Sequence, residues 1–173
     1  MHLFRFSLFL TIILGLAVFI GCDSSTDSDD EVTEFVAEPE DFSDYTSWTL
    51  VASEDGQDPL LMTAHGVEDT LTRNVYIKDN ESPSDGNYPK GTMIVKELRD
   101  DDGNLTGALT MMVKRGGDFN PDGNGWEWFM TSTDLTTVMT QGDNATAGGG
   151  VCANCHAGAN VNNNGVDWVF SGN

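Results

Sequence analysis

Apolar and polar positions alternate through much of the chain between residues 45 and 173, and this pattern predicts β-strands. Four segments carry the alternation or the β-branched and aromatic residues typical of strands: 74–78, 92–98, 105–113 and 126–130. Turn sequences rich in Asp, Asn and Gly separate them, at 85–87, 102–104 and 120–123. Because these connections are short, neighbouring strands should pair antiparallel, with 98–105 forming a hairpin.

The chain after the last of these strands is less regular. Residues 134–139 predict a short helix, three consecutive glycines interrupt the chain at 148–150, and 166–170 predict a short strand that could close a sheet edge. The predicted fold class is therefore α+β and mostly β, a small antiparallel sheet with a few short helices.

The first 21 residues predict an export signal of the lipoprotein type. Arg5 precedes an apolar run of 15 residues, 6–20, and Gly21 stands just before Cys22; these are the parts of a signal peptide. A membrane span is the alternative, but a span needs roughly 20 apolar residues. Residues 19–22 resemble the lipobox of bacterial lipoproteins, which makes Cys22 the predicted site of a lipid. An ordinary signal ending at Cys22, or a free thiol there, is the alternative.

Residues 22–44 are predicted to be a disordered tether between this signal and a folded domain at 45–173. Ten of them are acidic and none is Lys or Arg, so the stretch repels itself and buries little; a specific acidic binding patch is the alternative. The whole chain has 28 acidic and 8 basic residues, for a net charge of −20. Such a chain lacks the clustered cations that bind phosphate, which argues against nucleic acid and anionic lipid headgroups as partners.

Cys152-Ala-Asn-Cys155-His156 is the attachment pattern of haem c. Two thiols at this spacing reach different vinyl groups of one porphyrin, and the histidine ligates the iron from one side. A thioredoxin-type redox pair would need a βαβ context, and a structural zinc site would need a fourth ligand besides these three residues. One covalently bound haem c per chain, with its iron, is therefore the predicted cofactor, attached near the C-terminus.

The opposite side of the iron decides what such a haem can do. A second strong ligand, usually Met or His, makes an electron carrier, whereas an open position admits a small ligand. No Met, His or Lys follows His156, which favours an open position. The alternative is ligation by His65 or by an upstream methionine, although strand methionines are more often core filler: Met62, Met93, Met111, Met112, Met130 or Met139.

The order of several segments resembles the cytochrome P-460 family, which includes the cytochromes c′-beta. The matching segments are 45–48, 73–77, 88–97, 112–114, 125–129 and, behind the haem motif, 167–170. The resemblance implies a mostly antiparallel β domain, a homodimer, that holds haem c with a proximal histidine and an open distal side. The P-460 members carry an additional bond between a lysine and a haem meso carbon, and they oxidise hydroxylamine.

Lys96 lies on a predicted strand, where alternation places it in a row with Thr92, Ile94 and Leu98. A charged amine is costly in such a row unless it is paired, deprotonated or bonded. The alternative is an edge strand from which Lys96 reaches water. The resemblance places Lys96 at the haem edge, as the lysine that is cross-linked in P-460 members.

The resemblance also implies two residues of the distal pocket. Arg73 matches the family's distal arginine, which could hydrogen-bond a ligand on the iron; a surface salt bridge is the alternative. Thr110 stands where hydroxylamine-oxidising members have a carboxylate, and a hydroxyl group is no general base at neutral pH. Hydroxylamine oxidation should then be weak, and the pocket drier, which suits nitric oxide or carbon monoxide.

These expectations describe an exported protein on the periplasmic or cell-envelope side, held to a membrane only by a lipid on Cys22. It is predicted to bind or act on small nitrogen oxides, as a hydroxylamine-oxidising enzyme that passes electrons to a partner cytochrome. The alternative is a non-catalytic protein that binds or senses nitric oxide. An electron carrier is a third alternative.

Overall fold

The computed structural model describes residues 33–57, 65, 68–161 and 165–170. The predicted signal peptide, the predicted lipid site at Cys22 and the first part of the predicted tether lie outside the described residues. Within the described part, no helix is both long enough and apolar enough to cross a membrane.

One antiparallel sheet of six strands forms the body of the fold, and each strand pairs with the next along the chain. The strands are Thr49–Asp55 (β1), Thr72–Ile77 (β2), Met93–Arg99 (β3), Leu105–Lys114 (β4), Trp126–Thr131 (β5) and Val138–Gly142 (β6). The mostly β class is confirmed. The hairpin predicted at 98–105 is confirmed as well, since Arg99 pairs with Leu105 across β3 and β4.

The helix predicted at 134–139 is wrong, because the chain turns there and then enters β6. The Asp134 carboxylate accepts hydrogen bonds from the Ser132 hydroxyl and from the backbone N–H and hydroxyl of Thr136, which stabilises a tight turn. The residues after Asp134 include Thr136, Thr137 and Val138, and β-branched side chains favour an extended chain over a helix.

The C-terminal part consists of one helix and one hairpin. The helix, Val151–Val161 (α1), follows the three glycines and carries the cysteines and histidine of the motif. The hairpin pairs Gly165–Val166 (β7) with Val169–Phe170 (β8) and is separate from the main sheet. Residues 166–170 therefore do not close an edge of that sheet, as the sequence had suggested, but form a ribbon of their own.

The two faces of the sheet are covered by different parts of the chain. The N-terminal face packs against residues that precede β1, and its core consists of Ala37, Phe42, Tyr45, Met93, Val95, Leu109, Met111, Val113 and Phe129. The helix face packs against α1 and the β7–β8 hairpin, and its core consists of Ile77, Ile94, Met112, Trp126, Trp128, Ala147, Ala153 and Val169. Because side chains alternate along a strand, consecutive residues belong to different cores.

Residues 33–44, predicted to be part of the disordered tether, belong to the fold. Pro39–Phe42 form a 3-10 turn, and the side chains of Ala37 and Phe42 are fully buried. The Phe42 ring meets Phe129 edge to face, with ring centroids 5.6 Å apart. The acidic composition of this stretch concealed the few apolar side chains that cover the N-terminal face, and the folded domain begins before residue 45.

Candidate functional site

Helix α1 places the three residues of the motif on one side. Cys152 and Cys155 are three residues apart and Cys152 and His156 four apart, so their side chains are neighbours on the helix surface. Both thiols are free of disulfide bonds. Gly148 leaves room beside them, because a Cβ at this left-handed position would lie 3.2 Å from the Cys152 sulfur.

The His156 ring is held by the backbone of the β7–β8 hairpin. Its Nδ1 lies 2.7 Å from the carbonyl oxygen of Trp168, and a carbonyl can only accept, so Nδ1 carries the proton. Burial lowers the pKa of His156, and the hydrogen bond to Trp168 only partly opposes this effect. The neutral ring therefore has its lone pair on Nε2, which is the form that binds a metal.

A buried ion pair fixes the hairpin that carries this carbonyl. Asp167, at the turn, accepts hydrogen bonds from Lys114 Nζ at 2.8 and 3.0 Å and from the backbone N–H of Tyr88 at 2.8 Å. The Asn124 amide donates a further hydrogen bond to the same carboxylate. Asp167 and Lys114 are 4% and 5% exposed. The turn is thus pinned to the sheet, and the Trp168 carbonyl with it.

The surroundings of the motif fit a haem. Aromatic rings contact His156, with centroids 5.6 Å away for Phe170 and 6.1 Å away for Trp128. An apolar aromatic wall, two free thiols and an imidazole with Nε2 available are the donor set and lining that a covalently attached porphyrin requires.

Three predicted site residues lie together on the helix face of the sheet. Lys96 pairs with Thr110 across β3 and β4, and Arg73 pairs with Leu98 across β2 and β3. Since Leu98 follows Lys96 by two residues, all of these side chains share one face. Strand β3 lies between β2 and β4, so the alternative of an edge strand for Lys96 is wrong. Arg73 is buried, with 7% of its surface exposed, which does not fit a salt bridge at the surface.

The electrostatics of Lys96 differ from those of a surface lysine. Burial first, and then the neighbouring Arg73, lower its pKa to about 8, although Cys155 acts in the opposite direction. The interaction with Cys155 also indicates that Lys96 faces the cysteine-bearing helix across the interface.

His65 is the residue of this cluster whose position the sequence did not reveal. Its Nδ1 lies 3.2 Å from Lys96 Nζ and 3.3 Å from Thr110 Oγ1, and its ring centroid is 6.1 Å from that of His156, with the planes at 24°. Burial, then Lys96 and His156, lower the pKa of His65 to about 3, so the ring is neutral at pH 7. The one available signal was that His65 and His156 are the two histidines that follow the predicted signal peptide.

The methionines considered as iron ligands are distributed over both faces. Met93 and Met111 belong to the core of the N-terminal face, away from the motif, and Met139 is 55% exposed. Met112 belongs to the helix face, and Met130 pairs with Thr110. Met62 lies outside the described residues.

Comparison with models of protein families gives a match over most of the chain. The family model for cytochrome P460 matches residues 42–171, which span the whole sheet, helix α1 and the β7–β8 hairpin. No curated protein matches the chain.

Proposed function

Since the chain belongs to the cytochrome P460 family, a family of haem proteins, we propose that it carries a covalent haem c and binds or acts on small nitrogen oxides. One observation supports this most directly. His156 on helix α1 lies beside the ring of His65, which contacts Lys96 and Thr110 of the sheet, so the helix that carries the motif meets this polar cluster.

The proposed attachment uses residues of helix α1. The thiols of Cys152 and Cys155 would hold the porphyrin, each through a thioether bond formed by addition of S–H across one vinyl group. His156 would hold the iron through Nε2, while the Trp168 carbonyl keeps the proton on Nδ1. Bound haem c would supply a one-electron metal centre that can take a small ligand.

The proposed distal pocket is the part of the helix face formed by Arg73, Lys96 and Thr110. The Arg73 guanidinium there would stabilise negative charge that develops on a nitrogen or oxygen atom of a ligand. Lys96 is proposed to stand at the haem edge, where a lysine with a pKa of about 8 supplies more unprotonated, nucleophilic amine than a surface lysine does. This supports the proposal that Lys96 is cross-linked to the haem, as the lysine is in P-460 members. The nitrogen–carbon bond would replace one N–H bond and the meso C–H bond, and a two-electron oxidant such as a peroxide would have to accept the two electrons as both protons leave.

Proton transfer separates the two candidate reactions. Hydroxylamine loses protons as it is oxidised, so turnover needs a base beside it. The Thr110 hydroxyl is not one at neutral pH, and His65, with a pKa of about 3, is a weak one. Hydroxylamine oxidation is therefore proposed to be slow, with electrons passing to a partner cytochrome. Binding or sensing of nitric oxide, which needs no base, is the second candidate.

The location we propose agrees with this chemistry. The exported chain, anchored through a lipid on Cys22, would stand on the periplasmic or cell-envelope side, where haem c is normally attached. We also propose the homodimer that the family resemblance implies. The proposed attachment to the membrane is the lipid on Cys22 and involves no helix that crosses the membrane.

The visible spectrum of the purified ferrous protein, with and without nitric oxide, tests the proposal. The full chain, expressed with haem maturation machinery, is expected to be coloured and to change its spectrum when nitric oxide is added. A ferrous band far to the red of ordinary haem c that is lost in Lys96→Ala establishes the cross-link. A colourless protein, or a spectrum that nitric oxide leaves unchanged, contradicts the proposed function.

Hydroxylamine consumption with an artificial electron acceptor separates the two candidates. Slow but steady consumption supports the enzyme, and Thr110→Glu, which restores a carboxylate at this position, is expected to accelerate it. Tight binding of nitric oxide without any consumption supports the binding protein.

A further inference from the structure

The β7–β8 hairpin turns at Asp167 and Trp168, and both residues have left-handed backbone conformations, with φ of 51° and 68°. Two-residue hairpin turns of this kind strongly prefer Asn or Asp at the first position and Gly at the second. Asp167 follows this preference. Trp168 does not, because a bulky side chain is strained at a positive φ. The turn therefore holds an indole at a position where glycine would be less strained.

The hydrogen bond to His156 does not account for this tryptophan. That bond uses the backbone carbonyl of Trp168, and a glycine would present the same carbonyl without the strain. Strained backbone is found mostly at functional sites, where the surrounding structure holds a residue that is needed there. The Trp168 side chain therefore requires a role of its own.

The Trp168 indole lies between the proposed iron ligand and the surface. On its inner side the ring centroid is 6.0 Å from that of Trp128, which is in turn 6.1 Å from that of His156. The side chain nevertheless remains partly exposed. Three other residues of the hairpin are partly exposed too and form, with Trp168, a small and mainly apolar surface, the hairpin patch: Gly165, Val166 and Phe170.

The surface around the hairpin patch is acidic. The chain has 28 acidic residues and 8 basic ones, and three of the basic residues are paired with carboxylates: Arg99, Lys114 and Arg115. Asp85 is exposed beside the patch, since the next residue, Gly86, lines one cavity together with Gly165 and Val166. Protein interfaces commonly combine an apolar centre with a polar rim. Negative charge at this rim favours a partner that carries positive charge.

We propose that the hairpin patch is the docking surface for a positively charged redox protein, and that the Trp168 indole is the point at which electrons leave the haem site. The inference rests on the proposed function and adds to it the surface and the charge of the partner cytochrome. One electron passes from ferrous iron to the ferric partner, which is reduced as the iron is oxidised, and no bond or proton is exchanged. Since electron tunnelling slows steeply with distance, contact between His156, Trp128 and Trp168 provides a short path to the surface.

Binding of a strongly basic ferricytochrome c to the full-length ferric holoprotein tests the docking surface. No electron moves when both proteins are ferric, so calorimetry at low salt measures binding alone. Trp168→Gly keeps the turn and the carbonyl that holds His156, and it should weaken binding about tenfold, as the loss of a tryptophan anchor does. Trp168→Phe should recover part of the affinity. Trp48→Gly, which removes a tryptophan from the N-terminal face, is the matched control and should leave the affinity unchanged.

Rapid mixing of the ferrous holoprotein with the same ferricytochrome c, or with ferricyanide, tests the electron exit. Ferricyanide is a small oxidant that needs no docking surface. Trp168→Gly should slow transfer to the cytochrome, while transfer to ferricyanide and the iron–histidine stretching band stay unchanged. Asp85→Asn, which suits the left-handed backbone at this position, should slow transfer to the cytochrome at low salt and not at high salt. Asp101→Asn, in the exposed β3–β4 turn, is its control.

Each alternative result decides against the proposal. No binding by the wild type, or equal binding by the wild type and Trp168→Gly, overturns the docking surface. Weaker binding with an unchanged rate of transfer within the complex overturns the role of Trp168 as the exit. A shifted iron–histidine band with equal slowing toward both oxidants also overturns it, because Trp168 would then act by positioning His156. If the wild type is colourless, the proposed function itself fails. Trp168→Leu gives the same comparison should the Gly variant not retain haem.

Discussion

Lys96 and Glu97 are consecutive residues of β3, yet they lie on opposite faces of the sheet and in opposite electrostatic situations. Glu97 is fully buried on the N-terminal face, where its carboxylate accepts hydrogen bonds from Tyr45 at 2.7 Å, Asn74 at 2.9 Å and Arg99 at 2.5 and 2.9 Å. Among the described residues, Lys96 faces a histidine and the cation Arg73 on the helix face.

The two pKa shifts express this difference. Burial alone would raise the pKa of Glu97, but the hydrogen bonds from Arg99, Asn74 and Tyr45 outweigh it, and the pKa is lowered. The pKa of Lys96 is lowered to about 8, mainly by burial and then by Arg73. The fold thus favours the charge of Glu97 and disfavours that of Lys96. A charged group whose hydrogen bonds and ion pairs favour its ionised form contributes to stability. A buried group whose surroundings disfavour its ionised form is instead a candidate functional residue.

Removing the two thiols should have the largest effect, and only on the helix face. The double substitution Cys152→Ala with Cys155→Ala, made in the Lys96→Ala background, leaves neither the motif thiols nor the lysine to bond the porphyrin, so we expect no haem stain on a denaturing gel. Asn154→Ala, at the exposed position between them, should retain the stain. Staining of the triple variant would show that the haem is held elsewhere and would remove the basis for a functional helix face.

Glu97→Gln should have the next largest effect, and on stability alone. The substitution removes the charge that accepts hydrogen bonds from Tyr45, Asn74 and Arg99, and weakening these bonds to a buried carboxylate should cost about 3 kcal/mol of the free energy of unfolding. Denaturant titration measures the cost, with the exposed Glu81→Gln as the control that should change little. The visible spectrum of the haem should be unchanged. A changed spectrum with unchanged stability would assign the functional role to the N-terminal face, which carries Glu97, and not to the helix face.

The features that the sequence predicted are those set by local spacing. Alternation along β3 placed Lys96 correctly on a shared face with Leu98, and the spacing of Cys152, Cys155 and His156 needed no tertiary structure to be recognised. Strand β1 was not predicted, because its residues are mostly exposed at the sheet edge and show little alternation.

The contacts that the sequence could not predict join residues far apart in the chain. His65 and Thr110 are 45 positions apart, and Lys114 and Asp167 are 53 apart. The pattern of apolar and polar residues contains no sign of either contact. The first depends on how the connection between β1 and β2 packs on the sheet, and the second on how the β7–β8 hairpin does. The helix predicted at 134–139 failed for a related reason, since hydrogen bonds to the Asp134 side chain decided the local conformation.

Asp167→Asn should have an intermediate effect that joins stability to the haem. The amide still fits the turn but leaves the buried Lys114 without its opposing charge, which should cost about 2 kcal/mol of the free energy of unfolding. Because Asp167 pins the hairpin that carries the Trp168 carbonyl, the iron–histidine stretching band should also shift or broaden. Asp122→Asn, exposed in a nearby turn, is the control. A lower stability with an unchanged band would limit Asp167 to a structural role.

The pH dependence of stability should show the charge of Glu97 directly. The folded pKa of Glu97 lies below the unfolded value near 4.5, so its stabilising effect is complete above about pH 4.5 and is lost as the pH falls through the folded pKa. The difference in unfolding free energy between the wild type and Glu97→Gln should therefore shrink in acid. Denaturant titrations at pH 7, 4 and 3 measure it. A constant difference would mean that packing, not charge, accounts for the loss.

Lys96→Met should change stability least, and this result would complete the comparison with its neighbour. Methionine has a similar length and no charge to desolvate, so we expect the free energy of unfolding to stay within about 1 kcal/mol of the wild-type value, or to rise slightly. The affinity for nitric oxide and the visible spectrum should nevertheless change, since Lys96 stands at the proposed haem edge. If Lys96→Met instead destabilised the protein as much as Glu97→Gln does, the lysine would be a structural residue like its neighbour. Its lowered pKa would then report burial alone, and the difference between the two faces would no longer identify the functional one.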